Sequence, residues 1–515
     1  MAVEPNVNGA QALMTGTKRA PEQLGRVLVL GLGKSGKAAV RYCADRLGGR
    51  VSRLFVAAVA RTEDSEAFAA SFASQDVDFA FGDEALDCLE ESFDLCIASP
   101  GIPFWHQLYV QGALLSTELV SEIEFAWRES AADSTWVAIT GTNGKTTVTS
   151  CCAAILHDAG LQAHAVGNIG DVCLEAVAAG DTDVYVAEVS SYQLASTVYF
   201  APDVAVLLNI TPDHIHWHQT LEAYRDAKFK VLANLGTQVS DLLVGHRAVA
   251  VLDATNDVVR AKVRELKALP PEGRGFDYIP LGTKAGITGD MRVACGAQNA
   301  AFLDAQEKLH VAYGGTDHVL LPAADLQMPG AHNVSNALAA ATAAVVLGVP
   351  DESIVRSLAS FAPLEHRIEP CGSIAGVTCY NDSKATNVDS TIKALEAFPK
   401  ARPVVLLGGD DKGTDLSDLV ASAHAHTRAA VCYGAGGPRF KAAFEQASDS
   451  APADFVLAEA GHLEDALDCA LQIARPGDIV LLSPACASFD EFTSFEERGR
   501  VFKKLVRERA IEQGA

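Results

Sequence analysis

Three absences in the sequence exclude broad classes of protein. Acidic residues outnumber basic ones, 65 to 41, and the net charge of −24 argues against a nucleic-acid partner, because phosphate backbones require a positive surface. The twelve cysteines form no Cys-x-x-Cys pair, so neither a zinc site nor a disulfide framework is indicated, and buried thiols in a reducing cytosol are expected. The longest apolar run, residues 337–349, is too short to span a bilayer. The sequence therefore predicts a cytoplasmic protein with no nucleic-acid or membrane partner.

Length and repeated strand, turn and helix patterns predict the domain organisation. A chain of 515 residues should hold about three domains, each able to bury its own core. We expect an α/β protein with a Rossmann-like N-terminal domain, a P-loop ATPase-like central domain and a doubly wound, Rossmann-like C-terminal domain. The predicted boundaries are a loose tail over 1–22, followed by domains over 23–131, 132–363 and 364–515.

A phosphate-binding loop is indicated by residues 135–147, TWVAITGTNGKTT. An apolar run typical of a buried strand precedes the glycine turn, and a helical pattern follows it. Such a turn binds phosphate through backbone N–H groups and the positive end of the helix dipole. Lys145 should reach the terminal phosphates, and the Thr146 hydroxyl should bind Mg²⁺. Ile139 stands where the full pattern has a glycine, so the loop is a compact variant, and a chance Gly-Lys-Thr-Thr is the alternative.

Further polar residues follow the next predicted strands of the central domain. Glu188 ends the strand that begins near residue 183, where a carboxylate beside a phosphate loop suits Mg²⁺. Apolar neighbours on both sides argue against a surface position for this side chain. His214, His216 and His218 alternate after the following strand, which would suit zinc. No cysteine or acidic ligand pattern accompanies them, so zinc is not expected.

Three later stretches of the central domain carry weaker signals. A helix is predicted from Tyr224 onward, and a solvated charge is the ordinary alternative for its Lys228. Residues 255–315 show no regular pattern, and no function follows from them. Asn333 and Asn336 face one way near the start of a helix, where their amides suit either the hydrogen-bonding edge of adenine or helix capping.

The first domain contains a glycine-rich turn but lacks the acid of a NAD site. Residues 26–36, RVLVLGLGKSG, predict a buried strand that runs into three glycines, and a helix is expected over 37–47. The next strand, 51–59, ends without the Asp or Glu that would hold a ribose. This favours a phosphate-binding Rossmann-like unit over a NAD-binding one. A later strand leads to Gly101 at the sheet edge where open α/β sheets bind ligands, although this glycine could serve only a turn.

The C-terminal domain presents polar clusters at three predicted strand ends, over residues 380–387, 404–413 and 480–490. Strand, turn and helix alternate here as in a doubly wound sheet. Lys384 and Lys412 lie in two of these turns and are well placed to bind a carboxylate. A solvated surface position is the alternative for either lysine.

Together these motifs resemble the Mur ligases, which form amide bonds with ATP in peptidoglycan precursor synthesis. Residues 140–147 and the His366-Arg367 pair resemble the wider family, folylpolyglutamate synthases included. The stretches 381–387 and 483–488 resemble the members that add D-glutamate. The Asp-Asn-Pro-Arg and His-Gly-Lys motifs of sister members are absent from the sequence. The resemblance covers essentially all of the chain after the tail.

The resemblance implies an ATP-dependent ligase that joins D-glutamate to UDP-N-acetylmuramoyl-L-alanine through an acyl phosphate, with two Mg²⁺ ions, and we expect a monomer. ATP would be bound by Gly141, Thr142, Asn143, Gly144, Lys145, Thr146, Thr147, Asn333, Asn336, Arg367 and Asp382. The nucleotide sugar would be bound by Ser35, Gly101 and Asn168, and D-glutamate by Lys384, Thr386, Lys412, Ser488 and Phe495. Catalytic roles would fall to Lys145, Glu188, His214 and Lys228. The metal ligands would be Thr146, Glu188, His214 and Lys228, the last as a carbamate.

Two departures and two rival interpretations accompany this resemblance. His216 stands where the family often has an aspartate, and the first domain has no obvious match to the Asp or Thr that contacts uracil. A sister ligase with another acceptor, such as a folate enzyme, would need to bind a pterin, against which the Rossmann-like first domain argues. A nucleotide-gated switch would hydrolyse ATP regardless of any acceptor. It would leave the loops of Lys384 and Lys412 unexplained.

Overall fold

A computed structural model describes residues 20–87, 89–237, 243, 247–270, 273–282, 298–328, 330–399 and 401–512. The predicted tail lies almost wholly outside this range. The chain divides into two compact units, Met1–Asp325 with Ser335–Ala359 and Leu326–Val334 with Ser360–Ala515. The three predicted domain boundaries stay predictions. The α/β class is confirmed by three sheets in which parallel strands predominate.

The first sheet has the parallel order typical of a Rossmann-like unit. Its strands are β1 (Gly25–Leu30), β2 (Val51–Ala58), β3 (Val77–Phe81), β4 (Phe93–Ala98) and β5 (Ser116–Ser121). They lie in the order β3-β2-β1-β4-β5, all parallel. The accompanying helices are Lys34–Ala44, Glu63–Ala70, Gln107–Leu115 and Glu122–Glu129. The helix predicted over 37–47 starts three residues earlier because Gly33 takes an extended conformation at the N-cap.

The second sheet carries the phosphate loop. Its strands are β6 (Thr135–Thr140), β7 (Ala163–Gly167), β8 (Val184–Glu188), β9 (Val204–Leu207), β10 (Val249–Asp253), β11 (Asp277–Leu281), β12 (Ala300–Leu303), β13 (Lys308–Tyr313) and β14 (Thr316–Pro322). They lie in the order β14-β13-β12-β11-β10-β9-β6-β8-β7, with β12, β13 and β14 paired antiparallel. The helices of this region are Lys145–Asp158, Cys173–Ala179, Ser191–Ala195, Ile215–His218, Leu221–Phe229, Asp257–Ala268, Ala331–Val346 and Asp351–Ser360.

The interpretation of residues 255–315 as irregular is wrong. A helix begins after Asn256, whose side chain accepts a hydrogen bond from the Val259 N–H, and the strands β11 to β13 follow. Part of the segment, residues 283–297, lies outside the described residues. The helix predicted from Tyr224 in fact begins at Leu221, because the Thr220 hydroxyl caps it.

The third sheet is mostly parallel, with one antiparallel edge. Its strands are β15 (Glu369–Ile374), β16 (Val377–Asn381), β17 (Val404–Gly408), β18 (Ala429–Tyr433), β19 (Val456–Glu459) and β20 (Ile479–Leu482). They lie in the order β15-β16-β20-β17-β18-β19, and only β15 is antiparallel to its neighbour. The helices are Val388–Glu396, Ser417–His426, Gly437–Gln446, Leu463–Ile473 and Phe495–Glu512. The three predicted polar clusters follow β16, β17 and β20, as expected.

The described residues include ten cysteines and no helix suited to a bilayer. Eight of the ten described cysteines are buried, two are half-buried, and all ten are free thiols. Within the described ranges, no helix is both long and apolar enough to cross a bilayer.

Candidate active site

The phosphate loop turns sharply between β6 and the helix Lys145–Asp158. Gly141 has a φ of +155° and Gly144 a φ of +85°, which is the left-handed region that favours glycine. A side chain at position 144 would collide with the amide oxygen of Asn336, so this asparagine approaches the loop directly. Asn333 and Asn336 both lie inside the helix Ala331–Val346 rather than at its N-cap position, which argues against the capping alternative.

Three residues that the sequence interpretation missed brace this loop. The Asn143 N–H donates to Asn209 Oδ1 over 2.8 Å, and Asn209 Nδ2 donates back to the Asn143 carbonyl over 3.1 Å. The Thr142 hydroxyl lies 2.8 Å from the Tyr224 hydroxyl and accepts from the Thr211 N–H over 3.0 Å. Asn209 and Thr211 come directly after β9, the neighbour of β6, and this position was the available signal for them, whereas Tyr224 lies on the helix Leu221–Phe229.

Two lysines converge on the backbone of the loop. Lys145 Nζ donates to the carbonyls of Gly141 and Thr142 over 2.9 and 2.8 Å. Lys228 Nζ donates to the same Gly141 carbonyl over 2.7 Å, and its residue is only 2% exposed. The alternative of a solvated charge for Lys228 is therefore wrong. Of the two threonines after Lys145, Thr146 is half-buried and Thr147 buried.

Burial gives the Lys228 amine unusual chemistry. Desolvation is the largest cause that holds its pKa well below the usual range, and the charge of Lys145 acts in the same direction. The carboxylates of Asp213 and Glu188 oppose this shift without cancelling it. An amine with a lowered pKa is more often neutral near pH 7, and only a neutral amine is a nucleophile.

Glu188 ends β8 beside the loop with one carboxylate oxygen unused. The residue is 1% exposed, and its Oε1 accepts from Asn168 Nδ2 over 3.0 Å. Its Oε2 is buried and has no hydrogen-bond partner. A buried, unpartnered anionic oxygen is costly unless a cation or an ordered water satisfies it. Glu188 therefore fits a magnesium ligand, and the alternative of a surface glutamate is wrong.

The three histidines of the following loop do not form one cluster. His214 has a φ of +54°, and its Nε2 lies 3.5 Å from Asp213 Oδ2. His218 is buried, its Nε2 lies 2.9 Å from the Ser191 hydroxyl, and burial is the main cause that lowers its pKa to about 4. His216 is exposed. His214 is therefore the histidine of the set that remains a site candidate, and Asp213 is a neighbouring acid that the sequence interpretation missed.

A cavity of 530 Å³ lies at the carboxyl edge of the first sheet, and it brings Ser35 and Gly101 together. Thr62 and Asp64 also line it, although no acid directly follows β2. Both residues lie at the start of the helix Glu63–Ala70. The sequence analysis looked for an acid at the end of the strand and therefore did not identify them. Asn168 does not line this cavity and lies instead against Glu188.

Four of the five predicted amino-acid-binding residues lie on three segments of the second unit, residues 381–387, 408–413 and 483–488, which we name the acceptor loops, and the fifth, Phe495, begins the helix Phe495–Glu512. Lys384 Nζ lies 3.6 Å from the centre of the Phe495 ring. Ser488 is buried, Thr386 is half-buried and Lys412 is exposed.

Asp382, in the first acceptor loop, is a buried acid with two hydrogen-bond donors. The Ser483 hydroxyl donates to it over 2.7 Å and the Ile368 N–H over 3.2 Å. Burial is the largest cause that raises its pKa to about 7, and the nearby guanidinium of Arg367 is among the groups that oppose this shift.

In the described part of the chain, Glu365, His366 and Glu369 are the one group of three His, Cys, Asp or Glu residues whose ligand atoms all lie within 4.8 Å of one another. The Lys503 ammonium lies 2.6 Å from Glu365 and 2.8 Å from Glu369. The Lys503 ammonium therefore already bridges the two carboxylates and offsets part of their negative charge.

Comparisons with known proteins agree with this geometry. Residues 139–272 match the family model of the Mur ligase middle domain, and residues 366–486 match that of the Mur ligase glutamate ligase domain. The UDP-N-acetylmuramoylalanine–D-glutamate ligase of Thermoanaerobacter sp. (strain X514) is 36% identical over 84% of this chain and 88% of its own length. The enzyme of the same name from Salinibacter ruber is 37% identical over 93% of this chain and 97% of its own length.

Solved structures with low sequence identity share the fold. A pseudomurein peptide ligase type C from Methanothermus fervidus superposes with a TM-score of 0.52 at 17% identity, over 94% of this chain and 99% of that one. A UDP-N-acetylmuramate-alanine ligase from Thermotoga maritima gives a TM-score of 0.52 at 16% identity, with the same coverage of both chains.

Proposed function

Because the chain belongs to the Mur ligase family, we propose that it uses ATP to join D-glutamate to UDP-N-acetylmuramoyl-L-alanine in peptidoglycan precursor synthesis. The use of ATP is supported mainly by one observation. The buried, unpartnered Glu188 Oε2 lies beside a phosphate loop on which Lys145 and Lys228 converge. The relatives named as D-glutamate ligases support the identity of the acceptor.

The reaction must first activate a carboxylate, because a carboxylate and an amine do not condense unaided. The γ-phosphoryl group of ATP passes to the alanyl carboxylate, which gives an acyl phosphate and ADP. The D-glutamate amine then attacks the carbonyl carbon, loses a proton, and displaces phosphate as the amide forms. Lys145 stabilises the charge that spreads over the transferred oxygens, and the backbone N–H groups after Gly141 hold the phosphates.

The buried Glu188 Oε2 is an oxygen donor of the kind that Mg²⁺ prefers, as the Thr146 hydroxyl and a lysine carbamate would be, whereas His214 would add a ring nitrogen. Thr146, Glu188, His214 and Lys228 as its carbamate would hold the ions, and bound Mg²⁺ would neutralise charge on the phosphate oxygens. We propose two ions. An ammonium cannot bind a cation, whereas a neutral lysine amine that adds to CO₂ loses a proton and becomes an anionic carbamate with two oxygens. The lowered pKa of Lys228 supports this modification.

The other proposed substrate contacts rest on the family resemblance. Ser35, Gly101 and Asn168 would bind the nucleotide sugar, and Asn333, Asn336, Arg367 and Asp382 would bind the rest of ATP. The acceptor residues are Lys384, Thr386, Lys412, Ser488 and Phe495. Two lysines suit D-glutamate, which carries two carboxylates. We propose that the protein acts in the cytoplasm, where ATP is available. We also propose a monomer, since one chain supplies every predicted contact.

The test is phosphate release from ATP with UDP-N-acetylmuramoyl-L-alanine across a panel of L- and D-amino acids. The proposal predicts release that depends on D-glutamate together with a stoichiometric amide product. Release with another acceptor would identify a sister ligase. Release that is indifferent to every acceptor would favour the nucleotide switch and contradict amide formation.

A further inference from the structure

Arg498, on the helix Phe495–Glu512, is a fully buried arginine that serves neither the phosphate loop nor a salt bridge. Its residue is 0% exposed, and in the described part of the chain no carboxylate lies within ion-pair distance of it. An arginine side chain is always charged, so its burial requires other compensation. That compensation consists of four hydrogen bonds to the chain around it.

These bonds join two of the acceptor loops. Arg498 Nε donates to the Ser383 hydroxyl over 3.0 Å, and Nη2 donates to the Ser383 carbonyl over 2.9 Å. In the loop 483–488, Nη1 donates to the Ala487 carbonyl over 2.9 Å and Nη2 to the Cys486 carbonyl over 3.0 Å. The Ser383 hydroxyl in turn donates to the Phe495 carbonyl over 2.8 Å.

The third acceptor loop packs against the same guanidinium. A Cβ at Gly409 would lie 3.0 Å from Arg498 Nη1 and would collide with the Ala487 carbonyl. Asp410 and Ala487 exchange two backbone hydrogen bonds, each 3.0 Å long. The loops that carry Lys384, Lys412 and Ser488 therefore meet at Arg498.

One of these loops holds a backbone conformation that needs such support. Ala485 has a φ of +58°, in the left-handed region that a residue with a Cβ rarely adopts. Strained residues persist where the surrounding structure fixes them. The next two carbonyls, of Cys486 and Ala487, are the ones that Arg498 holds.

We propose that Arg498 is a positioning residue for the acceptor amino acid: it sets the relative placement of the three acceptor loops and thereby the affinity for a dicarboxylate amino acid. This inference rests on the proposed function and deepens it. The guanidinium fork fixes several carbonyls at once in a rigid plane, which a lysine ammonium cannot reproduce. Its charge also acts on the buried Asp382 of the first acceptor loop, where it opposes the rise in the pKa of that carboxyl group.

The experiment measures KM and kcat for all three substrates in Arg498→Lys and Ser383→Ala, after wild-type turnover with D-glutamate has been established. Ser383→Ala is the milder variant, because it removes one of the four hydrogen bonds of Arg498 together with the bond from the Ser383 hydroxyl to the Phe495 carbonyl. We expect the KM for D-glutamate to rise by about tenfold or more in Arg498→Lys, and less in Ser383→Ala. The KM values for ATP and the nucleotide sugar should stay within about twofold of wild type.

The matched control is Arg509→Lys on the same helix. Arg509 pairs with Asp468 over 2.7 Å and with Glu464 over 2.8 Å, away from the acceptor loops. The KM values of the Arg509→Lys variant should match those of the wild type. The inference is overturned if folded Arg498→Lys keeps the wild-type KM for D-glutamate, or if the KM values of all three substrates rise together. If Arg498→Lys does not fold, Ser383→Ala decides between these outcomes alone. Wild-type turnover that does not need D-glutamate would instead refute the proposed function itself.

Discussion

The phosphate-loop region and the acceptor-loop region both hold buried charges, but they satisfy them differently. In the first, the loop is braced by neutral amides and hydroxyls, and the buried Glu188 keeps one oxygen without a partner. In the second, the buried Arg498 makes four hydrogen bonds, and the buried Asp382 accepts two. The unpartnered oxygen of Glu188 is the feature on which the proposed magnesium site rests, whereas the hydrogen bonds of Arg498 support the proposed positioning of the acceptor loops.

The largest effects are expected from substitutions of one lysine in each region, and the two substitutions should change different kinetic constants. Lys145→Ala should lower kcat by about 10³-fold, because it removes a positive group aimed at charge in the transition state. Lys384→Ala should instead raise the KM for D-glutamate by at least about tenfold, because a carboxylate loses its ionic partner. Steady-state kinetics with each substrate varied in turn would check both. Substantial phosphate release by Lys145→Ala would contradict the role of this lysine.

The metal site predicted at Glu188 should respond to magnesium. Glu188→Gln should raise the magnesium concentration for half-maximal activity by at least about tenfold, since an amide is a weaker ligand than a carboxylate. Glu175→Gln is the control, because Glu175 is an exposed acid paired with Arg41 over 3.0 Å. Equal magnesium dependence in the two variants would count against the site.

The carbamate proposal has a chemical rescue test. Lys228→Ala should be inactive, and a short-chain acid such as acetate should restore part of the activity by supplying the missing carboxylate. In the control Lys230→Ala, acetate should have no effect, because Lys230 donates to the carbonyls of Ala195 and Thr197 and faces no metal site. Absence of rescue over a wide range of acid concentrations would argue against a carbamate.

The smallest expected effect concerns stability and pH. Burial is the largest cause that raises the pKa of Glu122 from 4.5 to about 7, so the folded protein binds this proton more tightly than the unfolded chain. The stabilising contribution is complete below pH 4.5 and is lost as the pH rises through 7, by no more than about 3 kcal/mol. Glu122→Gln should therefore reduce the loss of unfolding free energy between about pH 5 and pH 8.

In the second unit, burial also raises the pKa of Asp382 to about 7. Asp382→Asn should therefore reduce the loss of unfolding free energy between about pH 5 and pH 8, as Glu122→Gln should in the first unit. Denaturant unfolding at the two pH values measures both variants against wild type. A pH dependence unchanged by either substitution would show that these carboxyl groups do not titrate as the burial argument requires.

Contiguous patterns made part of the site predictable. The strand, glycine turn and helix around Lys145 lie within one stretch of sequence, and Glu188 stands at a strand end between apolar residues. The helix Asp257–Ala268 was also within reach, because Val259, Val263 and Leu266 are buried at helical spacing.

Contacts between distant segments were not predictable in this way. Asn209 braces Asn143 across 66 positions, and Arg498 binds Ser383 across 115. The burial of Lys228 also depends on the packing of its helix against the loop, and lysine composition alone favours the surface. Local patterns thus led to the candidate reacting groups, whereas the residues that contact and brace them became visible only in the tertiary structure.

The most direct test of a single reaction shared by both regions follows the oxygen atoms of the substrate. UDP-N-acetylmuramoyl-L-alanine labelled with ¹⁸O in both oxygens of its alanyl carboxylate is incubated with ATP and D-glutamate. Acyl phosphate formation predicts one ¹⁸O in each released phosphate and one in the amide, and phosphate release only when D-glutamate is present. Amide formation with unlabelled phosphate would contradict the mechanism, and phosphate release without D-glutamate would contradict the role of the acceptor loops.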